Sequence, residues 1–204
     1  ANPEKTGYTF AGWDKTIPSK MPAENVTIRA SWDAIEYDIT YNLNGGTLST
    51  SKNKYTIEQS ITFDNPTRNY YTFSGWYYNA DFSGSNVDGI VVGSYGDIEL
   101  YAKWTPIDYG ITYIINSGIN DKNNPAKYNV ETSTITLNNP TRNGYTFDGW
   151  YLEETFNTKV TQIEQGSHGN VKLYAKWNIV EYDIIYNLNG GNISTDKNKY
   201  TIEQ

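Results

Sequence analysis

The side chains that could support catalysis or metal binding are few and lie far apart in the sequence. The chain of 204 residues has no cysteine and one histidine, His168, in the segment 166–170 (Gly-Ser-His-Gly-Asn). The lack of cysteine excludes disulfides, thiolate metal sites and cysteine nucleophiles, and a single histidine excludes a multi-histidine metal site. A lone histidine flanked by glycines is typical of a solvated loop, so we assign it no catalytic role.

The acidic residues form no repeated pair. A glycosidase-type active site needs two suitably placed carboxylates. Asp38 and Asp183 match each other in similar segments, but Gly110 stands at the corresponding place between them. The oxygen-rich segment 120–124 (Asn-Asp-Lys-Asn-Asn) contains Lys122 and lacks the later carboxylate of an EF-hand loop. We therefore expect no enzyme activity, no cofactor and no bound metal, and we interpret this segment as a polar turn.

The composition indicates an acidic, β-rich chain. The 16 basic and 23 acidic residues give a formal net charge of −7, which argues against nucleic acid as a partner because such binding needs a basic face. No apolar run approaches the ~18 residues of a membrane span, and this segment opens with no signal-peptide pattern. The 19 tyrosines, 6 tryptophans and 6 phenylalanines favour strands.

The tryptophans reveal an internal repeat. Tryptophans of one series end segments of the type Tyr-Thr-Phe-x-Gly-Trp, at Trp13, Trp76 and Trp150. Tryptophans of the other series end segments related to Leu-Tyr-Ala-Lys-Trp, with spacings of 72 and 73 residues, at Trp32, Trp104 and Trp177. Residues 36–59 and 181–204 are identical at 20 of 24 positions. The chain is therefore an array of related modules.

The repeat predicts two complete modules between two halves. Residues 33–104 and 105–177 form the complete modules, 1–32 form the C-terminal half of a module, and 178–204 form an N-terminal half. We expect this sequence to be a slice of a longer array. About four residues, including Pro106, separate Trp104 from the next strand, and such a short linker predicts an elongated, stiff rod.

Local patterns predict several strands in each module. Apolar residues alternate with polar ones over 37–43, with the same pattern at 109–115 and 182–188, as expected for half-buried strands. The Asn-Gly pairs that follow the first and last of these segments predict tight turns with positive φ. The glycine before each first-series tryptophan predicts a bulge, which lets Phe73 and Trp76 face the same core.

Helix is harder to place in these modules. The two candidates are the corresponding segments 83–94 and 157–168. Three glycines shorten any helix in the first segment, and the second segment is the better candidate for a single turn. We therefore expect a mostly β or α+β fold with little helix.

Together these motifs resemble the Listeria–Bacteroides repeat, the B-repeat first recognised in internalin B. The resemblance rests on Tyr-x-Ile-x-Tyr-x-Leu-Asn-Gly-Gly (37–46), Asn-Pro-Thr-Arg-Asn-Gly-Tyr-Thr-Phe-Asp-Gly-Trp-Tyr (139–151) and Leu-Tyr-Ala-Lys-Trp, and covers essentially the whole chain. It implies tandem β-grasp-like (ubiquitin-like) modules of a bacterial surface protein, with no catalytic residues. Ser117 replaces a turn glycine, and Tyr70 replaces the glycine before Tyr71, which predicts a less strained turn there.

The residues with the best prospect of binding a partner are tyrosines on the outer sheet face. The strand pattern predicts that four of them point away from the core, namely Tyr77, Tyr101, Tyr151 and Tyr174. Exposed tyrosines of this kind can bind a sugar or another protein. Two functions therefore stay open: a spacer, stalk or filament segment outside the cell, and an adhesive module for a host glycan or protein receptor. Packing on neighbouring modules is the structural alternative for these side chains.

The two half-modules predict self-association. Aligned with residues 36–104, the N-terminal half-module (178–204) ends at the position of Gln59, and the C-terminal half-module (1–32) begins at that of Asp64. Residues 178–204 of one copy could therefore complete residues 1–32 of the next, head to tail, as in strand complementation. The alternative is a longer chain in which neighbouring repeats complete both halves.

Overall fold

A computed structural model of the chain describes residues 2–20, 22–194 and 197–204, and the regular structure in these ranges is all β-strand. The mostly β expectation is therefore confirmed. The chain divides into two compact units, Ala1–Thr105 and Pro106–Gln204. The described residues contain no helix of the length and hydropathy needed to cross a membrane.

The first unit contains a strand pair followed by a four-stranded sheet. Its strands are β1 (Tyr8–Trp13), β2 (Ala30–Ala34), β3 (Glu36–Asn42), β4 (Lys54–Thr56), β5 (Ile61–Thr62), β6 (Tyr71–Tyr77), β7 (Gly89–Ile90) and β8 (Ile98–Pro106). β1 pairs antiparallel with β2, and the sheet has the order β4-β3-β8-β6. β3 and β8 pair in parallel at its centre, while β5 and β7 form a separate short pair.

The second unit contains the same two parts in the opposite order along the chain. Its main sheet comes first and its strand pair comes last. Its strands are β9 (Tyr109–Ile114), β10 (Lys127–Tyr128), β11 (Ile135–Thr136), β12 (Tyr145–Tyr151), β13 (Lys159–Val160), β14 (Gln162–Ile163), β15 (Val171–Ile179), β16 (Tyr182–Asp183) and β17 (Lys199–Tyr200). The main sheet has the order β10-β9-β15-β12-β13, with β9 and β15 parallel at its centre. β11 pairs with β14, and β16 pairs with β17.

Each complete repeat has its own aromatic core on one face of the sheet. In the first, Trp76 is 1% exposed, and Leu100 and Ala102 of the central strand are fully buried. Trp150, Leu173 and Ala175 take the same places in the second core. The buried indole N–H groups are satisfied, because Trp76 Nε1 donates to Asp64 O at 3.1 Å and Trp150 Nε1 donates to Asn138 O at 3.0 Å.

The predicted turns and bulges are present. Asn44 and Gly45 have φ of 47° and 84°, so the Asn-Gly turn has the positive φ that its sequence predicts. The strand register shifts between Phe147 and Gly149, as the glycine before the tryptophan predicts. The bulge places Phe147 and Trp150 on the same core, with ring centroids 5.4 Å apart.

Three sequence-based expectations need correction or are not confirmed. The helix candidates 83–94 and 157–168 are not helical, because apolar residues such as Ile90 and Ile163 form short strands whose side chains fill the core. The described residues therefore show no crossover helix, and the β-grasp expectation is not confirmed. Tyr70 has φ of 68°, so the turn keeps the left-handed conformation and is more strained with tyrosine than with glycine.

Candidate interaction surface

The polar residues considered for chemistry do not converge on an active site. Asp38 lies on β3, where its backbone N–H donates to Asp97 Oδ1 at 2.8 Å. In segment 120–124, Asn124 Nδ2 donates to Asn120 Oδ1 at 2.8 Å and to Asn138 O at 3.0 Å, which ties this polar turn to the rest of the repeat. The described residues include no group of three or more histidine and acidic side chains that could hold a metal ion.

His168 lines a shallow cavity of about 280 Å³ in the second unit. The cavity has an apolar floor that includes Leu173 and Ile163, and a rim that includes Gln162 and Glu164. The rim polar groups already bond to one another, because Gln162 Nε2 donates to Glu164 Oε1 at 2.5 Å.

The four candidate tyrosines lie on the sheet face opposite the core, but they differ in exposure. Tyr77, Tyr101 and Tyr174 are partly exposed. Tyr151 is only 7% exposed, so its expected exposure is wrong. Tyr151 and Tyr174 face each other directly across β12 and β15. Tyr77 and Tyr101 lie on the adjacent strands β6 and β8.

A phenylalanine and a lysine cover the tyrosine that follows each core tryptophan. In the first unit the Phe82 ring packs edge-on against Tyr77 at 5.7 Å, and Lys103 Nζ lies 5.2 Å from the Tyr77 ring centroid. In the second unit Phe156 packs against Tyr151 at 5.4 Å, with Lys176 Nζ 5.5 Å away. These contacts explain why Tyr151 is buried without belonging to the core.

Sequence reasoning missed these two phenylalanines, although a signal was present. Phe82 and Phe156 each follow the core tryptophan by six residues, at the start of segments that differ in most other positions. Both have positive φ, 59° and 57°, in tight turns closed by hydrogen bonds from their backbone N–H groups. A bulky residue in this conformation is unfavourable by itself, so packing on the tyrosine must compensate for it.

Asp148 adds charge to this face in the second unit. Its Oδ2 accepts a hydrogen bond from Tyr151 Oη at 2.5 Å and lies 3.7 Å from Lys159 Nζ and 4.0 Å from Lys176 Nζ. The Tyr151 hydrogen bond, with the two lysine charges, lowers the pKa of Asp148. The same bond raises the pKa of Tyr151, because the phenolate would lie beside a carboxylate.

This cluster predicts a pH dependence of stability. Because the pKa of Asp148 is lower in the folded chain than its ordinary value of 3.8, its contribution to stability is present above that value. The contribution is lost as the pH falls through the folded pKa. We expect Asp148→Asn to reduce the acid-induced fall in the free energy of unfolding of the second unit, measured by denaturant titration at several pH values.

A second variant isolates the cause. Tyr151→Phe removes the largest interaction that lowers the pKa of Asp148, so an NMR titration of that carboxyl should show its pKa moving up toward the ordinary value. Asp108 and Glu153 also have lowered pKa values, which leaves part of the acid sensitivity in both variants. An unchanged acid profile in Asp148→Asn would show that this cluster does not contribute.

The repeated strands, cores and turns define a tandem-repeat protein, and comparison with known proteins identifies its family. The model of the Listeria-Bacteroides repeat domain matches residues 1–31, 37–103 and 109–176. The chain therefore belongs to this family, as its motifs indicated. The match covers most of both complete repeats, together with β1 and the start of β2.

Relatives of this chain are much longer proteins. It is 31% identical over 204 residues to a protein of Evansella cellulosilytica named "Putative membrane protein", with 92% of this chain and 29% of that protein covered. It is 27% identical to "Putative Gly-rich membrane protein" of the same organism, with 93% and 24% covered. Internalin H of Listeria monocytogenes is 34% identical over 115 residues, with 55% and 20% covered. The chain thus spans less than a third of each relative, and no solved structure matches it significantly.

Proposed function

We propose that this chain is a non-catalytic spacer segment of a bacterial cell-surface protein. The observation that carries the proposal is that the two units repeat the core, whereas acidic residues such as Asp38 and Glu99 have no acidic counterpart in the second repeat. Trp76 and Trp150, like Leu100 and Leu173, are equivalent and fully buried. An active site present in each repeat would need the same polar groups in each. The outer-face position of Glu99 instead holds a lysine in the second repeat.

Relatives support the extracellular placement. Internalin H and the two proteins named as membrane proteins contain stretches similar to this chain, which make up less than a third of their lengths. In such proteins a tandem array can set the distance between a functional domain and the cell envelope. Stability in repeat arrays comes from each repeat and its nearest neighbours, which suits a mechanical role.

A display experiment tests the spacer function. The chain is placed between a binding domain and a wall anchor on a bacterial surface, and binding of the domain to an immobilised ligand is measured. We expect deletion of residues 33–104 to reduce binding and an unrelated stiff spacer of equal length to restore it. Cell or glycan binding by the chain itself, without the added domain, would contradict a purely mechanical role.

We also propose that the two strand pairs at the ends complete each other between copies, head to tail. In the first complete repeat, Ile39–Asn42 pair in parallel with Ile98–Tyr101. The residues equivalent to these two segments, 184–187 and 26–29, lie outside the described strands. Their apolar side chains are correspondingly open, with Val26 at 41% and Tyr186 at 42% exposure. A second copy supplies the missing partner with the same register.

Sedimentation at increasing protein concentration tests this assembly. We expect reversible formation of open oligomers, lost in Ile28→Glu because the equivalent Leu100 is fully buried in a complete repeat. Thr27→Glu is the matched control, since the equivalent Glu99 is exposed there. A chain that stays monomeric would overturn the proposal. The open strand pairs would then be explained by neighbouring repeats of one longer polypeptide that complete them.

An adhesive function is the second candidate, supported by the partly exposed outer-face tyrosines. Tyr101 and Tyr174 occupy equivalent positions, and Tyr101 Oη donates to Glu99 Oε2 at 2.6 Å. Tyr151, being buried, contributes little to such a surface. Glycan-array or receptor binding that is lost in the Tyr101→Ala/Tyr174→Ala variant, at unchanged stability, would favour adhesion over the spacer function.

A further inference from the structure

The contact between a strand pair and the complete repeat beside it has the same form in both units. In the first unit, β1 and the turn before it lie against the turn that follows β4. In the second unit, the start of β12 lies against the turn that follows β17. These two contacts join equivalent positions of successive repeats, although the chain order of strand pair and complete repeat is reversed between the units.

The backbone provides the first element of this contact. Ile35 N donates to Gly7 O at 3.0 Å, and Val180 N donates to Gly144 O at 2.9 Å. Each bond ties the segment that links two repeats to the glycine of the earlier repeat. Gly7 and Gly144 have φ of 78° and 75°, a conformation that favours glycine.

The side chains add a tight apolar contact at the same glycines. A Cβ at Gly7 would lie 2.6 Å from Ile57 Cδ1, and a Cβ at Gly144 would lie 2.8 Å from Ile202 Cγ2. The isoleucine of the later repeat therefore rests on the glycine backbone of the earlier one. A side chain at either glycine would have to displace the isoleucine that packs on it.

A tyrosine completes the contact. Tyr8 Oη donates to Glu58 Oε1 at 2.8 Å, and Tyr145 Oη donates to Glu203 Oε1. A cation covers each ring, with Lys5 Nζ 3.5 Å from the Tyr8 centroid and Arg142 Cζ 3.6 Å from that of Tyr145. The glutamate hydrogen bond raises the pKa of both tyrosines, so the phenols stay protonated and able to donate.

We infer that Gly-Tyr of one repeat and Ile-Glu of the next form a junction that fixes the orientation of successive repeats. The surface formed by Ile57 and Glu58 is thus a docking site for the Gly-Tyr turn of a preceding repeat of this family. This inference deepens the spacer proposal, because a spacer keeps its reach only if its joints are stiff. The junction makes each repeat depend on its neighbour for orientation as well as for stability.

Distance measurements between spin labels test the junction in the full chain. The chain has no cysteine, so Ala11→Cys on β1 and Thr72→Cys on β6 give two unique, exposed label sites in the first unit. We expect a single narrow distance distribution. Gly7→Ala should broaden it, because the added Cβ meets Ile57. Tyr8→Phe removes the donor and Glu58→Ala removes the acceptor of the same hydrogen bond, so each should broaden the distribution to the same extent, singly and together.

Tyr41→Phe is the matched control, since Tyr41 Oη donates to Lys52 O at 3.0 Å within one repeat and does not reach the junction. This variant loses a hydroxyl hydrogen bond but should keep the narrow distribution. A broad distance distribution in the labelled chain without further substitutions, or a narrow one in its Gly7→Ala variant, would overturn the junction. Either outcome leaves the display experiment unaffected, so the spacer proposal and the junction can fail separately.

Discussion

Replacement of Trp76 by alanine is expected to lower the free energy of unfolding of the first unit by about 3–5 kcal/mol, the usual cost of removing a buried aromatic side chain. Trp76 is 1% exposed and packs edge-on against Phe73 at 5.4 Å and Tyr41 at 5.2 Å. Its indole N–H also donates to Asp64 O at 3.1 Å. The variant leaves a cavity at the centre of the aromatic cluster and an unsatisfied carbonyl.

The chain contains a matched control for this substitution. Trp13 is the equivalent tryptophan of the β1–β2 pair and is 40% exposed, with Phe10 at 5.2 Å. Trp13→Ala should therefore cost much less than Trp76→Ala in denaturant titrations followed by NMR signals of the first complete repeat. Equal losses would show that burial of this tryptophan does not determine the stability of the repeat.

The same control bears on head-to-tail assembly. The first half of a complete repeat supplies Tyr41 to the core tryptophan, and residue 186 is its equivalent in the β16–β17 pair. If a second copy brings Tyr186 onto Trp13, then Trp13→Ala should weaken oligomer formation although it hardly changes the unfolding of the monomer. The unfolding and sedimentation measurements thus report on different contacts of equivalent residues.

Strand positions and core residues follow from the sequence because their physical causes are local. The alternation over 37–43 places Tyr37, Ile39 and Tyr41 toward one face, and β3 has this pattern of burial. The glycine before the tryptophan indicates the bulge, and Asn44-Gly45 indicates the turn. The repeat itself strengthens these inferences, since each pattern occurs at equivalent positions more than once.

The outer surface is less predictable because it depends on contacts between distant segments. The alternation correctly places Tyr151 opposite the core, but nothing local shows that Phe156 will turn back to cover it. That turn requires a phenylalanine at positive φ, which intrinsic preference disfavours and tertiary packing enforces. Tertiary pairing also decides the segment 157–168, the better sequence candidate for a single helical turn, because Ile163 pairs with Ile135 and forms a strand.

The lengths of the strands in the end pairs also depend on tertiary context. β16 covers two residues, Tyr182–Asp183, whereas its equivalent β3 covers seven, Glu36–Asn42, although the two sequences are nearly identical. The difference arises because β3 has the parallel partner β8 and β16 has none among the described strands. A strand in this family is therefore formed by pairing, and propensity alone is insufficient.

The second large effect is expected at Gly46, which follows the Asn-Gly turn of the first complete repeat. A Cβ there would lie 2.4 Å from Trp104 Cζ2 and 3.0 Å from Thr67 O. Trp104 is held in place by the hydrogen bond from its Nε1 to Leu43 O at 2.9 Å, so the ring cannot move aside without losing it. Gly46→Ala should lower the free energy of unfolding of the first unit by about 1–3 kcal/mol, the usual cost of overpacking.

Gly191 provides the matched control for this prediction, because it follows the same Asn-Gly turn in the β16–β17 pair. A Cβ at Gly191 would approach only Leu188 O, at 3.2 Å, and would meet no tryptophan ring. Gly191→Ala should therefore have a much smaller effect on thermal and denaturant unfolding than Gly46→Ala. Trp104→Phe should relieve part of the clash, so that the double variant with Gly46→Ala loses less stability than the sum of the two single variants. Additive losses would show that the constraint on Gly46 comes from the backbone at Thr67, and that the tryptophan ring is not its cause.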